Sequence, residues 1–140
     1  MKPFPIVEIF GPTIQGEGPL IGVPTMFVRF GGCDYRCKWC DTSYAILPEE
    51  VKKNSTRMTA EQIVEKVNQS QYCEWVTFSG GNPLLYDLSE LVDRLHEDGW
   101  RIAAETQGTV YREWVQKADL LVVSPKPPSS GMTTDFIKLK

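Results

Sequence analysis

Hydrophobic positions along this chain fall into two alternating rhythms. Short runs rich in β-branched and aromatic residues read as strands: TMFVRF (25–30), WVTFS (75–79), RIAAE (101–105) and LLVVS (120–124), preceded by an extended piece, IVEIF (6–10). Between them the period lengthens to that of a helix. TAEQIVEKVNQS opens with Thr59 as N-cap and Gln62 three residues on, a capping box, and sets Ile63, Val64 and Val67 on one face. DLSELVDRLHEDG repeats the scheme: Asp87 as cap, Glu90 at the third helical position, Leu88, Leu91, Val92 and Leu95 as the stripe, Gly99 as terminator. VYREWVQKA (110–118) predicts a shorter helix. At the end, Phe136, Lys138 and Lys140 alternate against Ile137 and Leu139 as in the start of one more strand, without a closing turn. Strands alternating with helices predict an α/β fold with parallel strands.

Each of the four later strands leads into a polar or glycine-rich segment. TMFVRF runs into GGCDYRCKWC, WVTF into SGGNP, RIAA into ETQG, and LLVV into SPKPP. Any one of these is an ordinary turn sequence. All four leave the carboxyl ends of their strands, where parallel α/β sheets and barrels gather their sites, so together they predict one shared site.

Composition narrows the partners. The 140 residues suit a single domain, and 41% hydrophobic with 24% charged content is that of a globular chain. No apolar run approaches the roughly 18 residues of a membrane span, and MKPFPIVEIF has neither a signal-peptide core nor an Arg-rich transit character. A cytoplasmic address follows, where clustered cysteines stay reduced and open to metal. The net charge of -3 lacks the basic footprint of a nucleic-acid binder.

Three of the four cysteines, Cys33, Cys37 and Cys40, stand at C-x3-C-x2-C. Three thiolates can hold three irons of a cubane 4Fe-4S cluster and leave the fourth iron open to an exogenous ligand; zinc with water or a further residue is the other reading. Cys73, just before a strand, is expected to be a buried or idle thiol. His96, late on its helix, reads as a surface cation. Arg29 lies on a strand, where it either faces outward or points inward to a partner such as a carboxylate. Glu105, ending a strand among apolar neighbours, suggests a polar role at the site mouth.

C-x3-C-x2-C with Trp39 before the last cysteine and a glycine pair on the next strand closely resembles the radical S-adenosylmethionine (SAM) superfamily. EIFGPTIQGEG, CDYRCKWCDTSY, SGGNP, ETQGT and SPKPPSS, in that order over residues 8–130, narrow the resemblance to the 7-carboxy-7-deazaguanine synthase family of queuosine and deazapurine biosynthesis. The resemblance implies a partial (β/α) barrel, parallel strands with helices outside, lacking its C-terminal strands. Residues 1–140 would then be a single radical SAM core domain, incomplete at its C-terminal end and completed by further sequence or a second subunit.

By the same resemblance Cys33, Cys37 and Cys40 bind the 4Fe-4S cluster. Trp39, Cys40, Asp41, Gly81 and Ser124–Pro125–Lys126 contact SAM. Ile14, Gln15, Gly16, Arg29 and Ser79 hold the substrate, 6-carboxy-5,6,7,8-tetrahydropterin, and Thr42 helps to bind magnesium, a hard cation that keeps part of its water shell. No side chain is assigned as a catalytic acid or base. The implied reaction begins with reductive cleavage of SAM to methionine and a 5'-deoxyadenosyl radical, which takes hydrogen from C6 of the pterin. Ring contraction and loss of ammonia then give 7-carboxy-7-deazaguanine. A reductant such as flavodoxin and a homodimeric assembly belong to the expectation; nucleic acid and membrane do not. Two other classes stay open: a radical activase acting on a protein partner, and a zinc-binding module without catalysis.

Overall fold

The computed structural model describes residues 3–16, 18–31, 55–70, 73–106 and 111–123. Six strands form one sheet among these residues: β1 (Phe4–Ile14), β2 (Pro24–Phe30), β3 (Thr56–Met58), β4 (Trp75–Gly80), β5 (Arg101–Thr106) and β6 (Leu120–Val123), in the spatial order β3-β1-β2-β4-β5-β6. β2, β4, β5 and β6 run parallel, as the strand–helix alternation predicts. β1 is antiparallel to β2 and to β3. The early extended piece is therefore the first arm of a hairpin with β2, flanked on its other side by β3, a role its β-rich pattern leaves undecided.

Helices α1 (Ala60–Val67) and α2 (Ser89–Glu97) cover one face. α1 starts where its capping box predicts: Gln62 N donates to Thr59 Oγ1 at 3.3 Å and Thr59 N donates to Gln62 Oε1 at 2.8 Å. α2 corrects the expectation by one residue. Leu88, not Asp87, is its N-cap, so Glu90 sits at the second helical position rather than the third. Asp87 still works there, because its Oδ1 accepts from Ser89 N at 3.1 Å and Ser89 Oγ at 2.7 Å. Burial of Leu88, fully enclosed in the core, decides the position of the first turn over the cap signal. Gly99, at φ +89°, ends the helix as expected.

The expected third helix is instead a 3-10 turn, Glu113–Lys117. Arg112, just before it, is anchored to the carbonyls of Leu84 and Leu85, and Asp119, just after it, accepts from Ile102 N. So short a tethered span cannot recover the cost of nucleating an α-helix. Trp114, buried, pins the turn by donating from Nε1 to Tyr86 O at 2.9 Å.

Strand alternation sorts the side chains onto two faces. Met26, Val28 and Phe30 of β2, Val76 and Phe78 of β4, and Ile102 and Ala104 of β5 meet Ile63, Val64, Val67, Leu88, Leu91, Val92 and Leu95 in one core. Edge-on aromatic contacts of Phe30 with Phe78 and of Phe78 with Trp114 order its centre. The opposite face is different in kind: it carries Thr25, Phe27 and Arg29, then Thr77 and Ser79, then Ala103 and Glu105.

Candidate functional site

The second face is the chemically interesting one. Cross-strand register puts Glu8 beside Arg29 and Arg29 beside Ser79, and Glu105 lies one position beyond the Phe78–Ala104 pair and beside Val122. Alternation turns these polar side chains away from the helices, forming a transverse row near the carboxyl ends of the parallel strands. Deeper on the same face Thr25 and Thr77 satisfy each other with an Oγ1–Oγ1 hydrogen bond of 2.9 Å, and both are fully buried.

Arg29 is held from two sides. Its Nε donates to Glu8 Oε1 at 2.8 Å, and its guanidinium carbon lies 5.8 Å from the centre of the Phe10 ring. Phe10 in turn stacks on Phe27, at 5.1 Å between centroids and 9° between planes. The side chain is 19% exposed, so its charge is largely withdrawn from water and balanced chiefly by Glu8. Its other edge, Nη1 and Nη2, makes no hydrogen bond within the described residues, and a planar fork with a spare edge suits a bidentate oxyanion.

At the end of β4 the backbone itself is specialised. Gly80 has φ +136°, and a Cβ there would stand 2.1 Å from Phe30 O, so β2 and the β4 loop approach as only glycine permits. Gly81 N donates to Phe30 O at 3.3 Å. The next residue, Asn82, is fully buried; its Oδ1 accepts from Leu84 N at 3.1 Å and from Thr106 Oγ1 at 2.9 Å. One amide thereby caps the 3-10 turn Pro83–Leu85 and ties the β4 loop to the end of β5. Tyr86 closes the third side by donating to Gly31 O, and burial among Phe4 and Phe30 pushes its phenol pKa up, keeping the hydroxyl a donor.

Of the residues singled out from sequence, the structure brings together Arg29, Ser79 and Gly81, with Glu105 half-buried on the same face. Ile14, Gln15 and Gly16 sit elsewhere: Ile14 pairs with Pro24 at the start of β2, about 16 Å along the strand from Arg29. There Ile14 is exposed, while Gln15 is buried and its backbone bonds to Val23 O and Gly22 N. Cys33, Cys37, Trp39, Cys40, Asp41, Thr42, Ser124, Pro125 and Lys126 lie outside the described residues, as does the strand expected at 136–140. Cys73 is half-buried at the opposite end of β4, with burial raising its pKa, in keeping with an idle thiol. His96 is paired, Nε2 lying 2.9 Å from Asp119 Oδ2.

Sequence reasoning passed over Glu8, Asn82, Thr106 and Tyr86. The signal for Asn82 was present, since Asn before Pro reads as a cap, but its bond to Thr106 crosses 24 residues. Glu8 gave a weaker one: a charge inside a β-rich run that turns out to face Arg29, 21 residues on.

The donors suit the groups expected of them. Three closely spaced thiols begin two residues after Gly31, whose position Tyr86 fixes at the mouth of the site, and thiolate is the ligand that iron–sulfur clusters take. At the same end of the sheet Gly80, without a side chain, lets the start of the β4 loop pack directly on the Phe30 backbone.

Comparison with known proteins gives a consistent picture. The radical SAM superfamily profile matches residues 27–122. The chain is 50% identical over 141 residues to the 7-carboxy-7-deazaguanine synthase of Bacillus subtilis, covering 99% of this chain and 58% of that protein. It is 45% identical over 142 residues to the enzyme of the same name from Bacillus cereus, covering 99% and 59%. Among solved structures it resembles QueE from Escherichia coli, with a TM-score of 0.78 and 30% identity over 89% of this chain and 60% of that one. The chain thus spans about three fifths of the length of these relatives.

Proposed function

The chain belongs to the radical SAM superfamily, whose members use a 4Fe-4S cluster with SAM, and from that premise we propose that it acts as a 7-carboxy-7-deazaguanine synthase. The observation that carries the reading is identity of 50% and 45%, over 99% of this chain, to two relatives bearing that name. The net reaction converts 6-carboxy-5,6,7,8-tetrahydropterin to 7-carboxy-7-deazaguanine and ammonia, with no net oxidation. The bound cluster and SAM supply the one-electron chemistry that opens a C–H bond of the substrate.

The chain's own residues bind, aim and shield. Cys33, Cys37 and Cys40 provide the thiolates; Trp39, Cys40, Asp41, Gly81 and Ser124–Pro125–Lys126 seat SAM. Arg29 presents its outer edge to the substrate carboxylate, and the Ser79 hydroxyl, next to it across the β2–β4 pair, hydrogen-bonds the pterin. The resemblance also assigns Ile14, Gln15 and Gly16 to the substrate, but their place at the start of β2, about 16 Å along the strand from Arg29, sets them apart from this contact. Thr42 supplies one oxygen to a magnesium ion that orients the substrate carboxylate. Phe10 and Phe27 wall the face and exclude water from the charged contact. A flavodoxin-type reductant, a second copy of the chain and a cytoplasmic setting complete the proposal; no helix among the described residues is long and apolar enough to cross a membrane.

Anaerobic reconstitution of the full chain tests it. Iron content should collapse in Cys37→Ala and persist in Cys73→Ser, and SAM cleavage should depend on the pterin. Thr42→Ala should lose magnesium stimulation of turnover while retaining SAM binding. A full cluster in Cys37→Ala, a colourless zinc-loaded protein, or saturation by a protein partner instead of the pterin would overturn the reading.

A further inference from the structure

Arg29 is an unusual substrate contact in one respect: a protein carboxylate already occupies part of it. Glu8 takes Nε at 2.8 Å from directly across the β1–β2 pair, and Ser79 stands directly across on the β4 side. A guanidinium has two hydrogen-bonding edges, so occupation of Nε leaves the Nη1–Nη2 edge as the one to meet a second oxyanion. Phe10, seated on Phe27, limits rotation of the plane about that contact. Without Glu8 the long arginine side chain would regain rotamer freedom and could swing its fork off axis.

We infer that Glu8 is a positioning residue for the substrate carboxylate: it fixes the Arg29 guanidinium so that its terminal edge is the one presented on the sheet face opposite the helices. This rests on the reading of Arg29 as the carboxylate contact given above. Glu8 also balances the buried cation before substrate arrives, so the site is held ready without an unpaired charge. Substrate binding then forms a carboxylate–guanidinium–carboxylate stack in which the chain supplies one end. Such an arrangement favours ligands with one carboxylate at the far edge and disfavours neutral pterins, which leave that edge unmatched.

The experiment is anaerobic calorimetric titration of 6-carboxytetrahydropterin into the loaded full chain, with SAM titrated separately. Arg29→Ala and Glu8→Ala should each raise the pterin Kd about tenfold or more, the scale of a lost charge-assisted hydrogen bond, with SAM affinity unchanged. Glu8→Gln, whose amide oxygen still accepts from Nε, should stay within about threefold of the parent, and the double variant should bind no worse than Arg29→Ala alone. A merely structural clasp between β1 and β2 would instead lower thermal stability without moving the pterin Kd selectively. If Arg29→Ala weakens pterin binding but Glu8→Ala does not, or if the two effects multiply in the double variant, the positioning role is wrong. An unchanged Kd in Arg29→Ala overturns the carboxylate assignment itself, and the role of Glu8 with it.

Discussion

Gly80→Ala isolates the steric heart of the site. Two costs combine at this position. The backbone stands at φ +136°, a conformation that an L side chain adopts only under strain of about 1–3 kcal/mol. The new Cβ would also lie 2.1 Å from Phe30 O and 2.7 Å from Phe30 N. Neither atom is the end of a flexible side chain, so β2 and β4 must part, adding roughly another 1–3 kcal/mol of overpacking. The expected loss is about 2–6 kcal/mol, a drop in Tm of roughly 6–25 °C for a chain of this size. Gly99→Ala is the matched control: its φ is +89°, but nothing stands within 4 Å of the built Cβ, so only the strain, about 1–2 kcal/mol, applies. Urea unfolding followed by circular dichroism, with comparable m-values, reads both losses on one scale. If Gly80→Ala is no more destabilising than Gly99→Ala, the close approach of β2 to the β4 loop is not a real constraint and the steric argument fails.

Asn82→Ala should cost about 1–3 kcal/mol in the same assay, because it removes the acceptor of the buried Leu84 N–H and the tie to the Thr106 hydroxyl; a loss under about 0.5 kcal/mol would show that water or repacking replaces the amide. Asp119 gives a pH signature. Its burial alone would raise the carboxyl's pKa, but the Ile102 N–H and His96 outweigh it and hold it below the usual range. A depressed carboxylate stabilises the fold above its unfolded pKa of about 3.9 and loses that contribution as pH falls through the folded value. The stability gap between parent and Asp119→Ala should therefore be present at pH 5 and shrink below about pH 4; a gap that widens on acidification would contradict the assignment.

Much of this protein was legible before any contact was known. Periodicity located the four parallel strands, and caps located α1 and the end of α2, because those signals act within a few residues and reflect burial of one face. The placement of four polar loops at the strand ends made one shared site the natural expectation, and the motifs within them carried the family. α2 began one residue late because enclosing Leu88 outweighed a cap that could act equally well from outside the helix. The segment after Arg112 became a 3-10 turn because its two ends are tied to residues far away in the chain.

What tertiary structure alone decided are the relations between distant residues. Sequence made Arg29 a candidate with two possible orientations; the register of β1 against β2 supplied Glu8 as its partner on the sheet face opposite the helices. Sequence marked Gly80 as a turn glycine; the pairing of β2 with β4 made it a position where no side chain fits. Asn82, before Pro83, carries only a local cap signal in sequence; β5 brought Thr106 to its oxygen. The physical reason is common to all three. Local propensity is written in neighbours, whereas strand register and close approach depend on how a whole sheet packs against its helices, and shifting a strand by one residue would exchange its two faces.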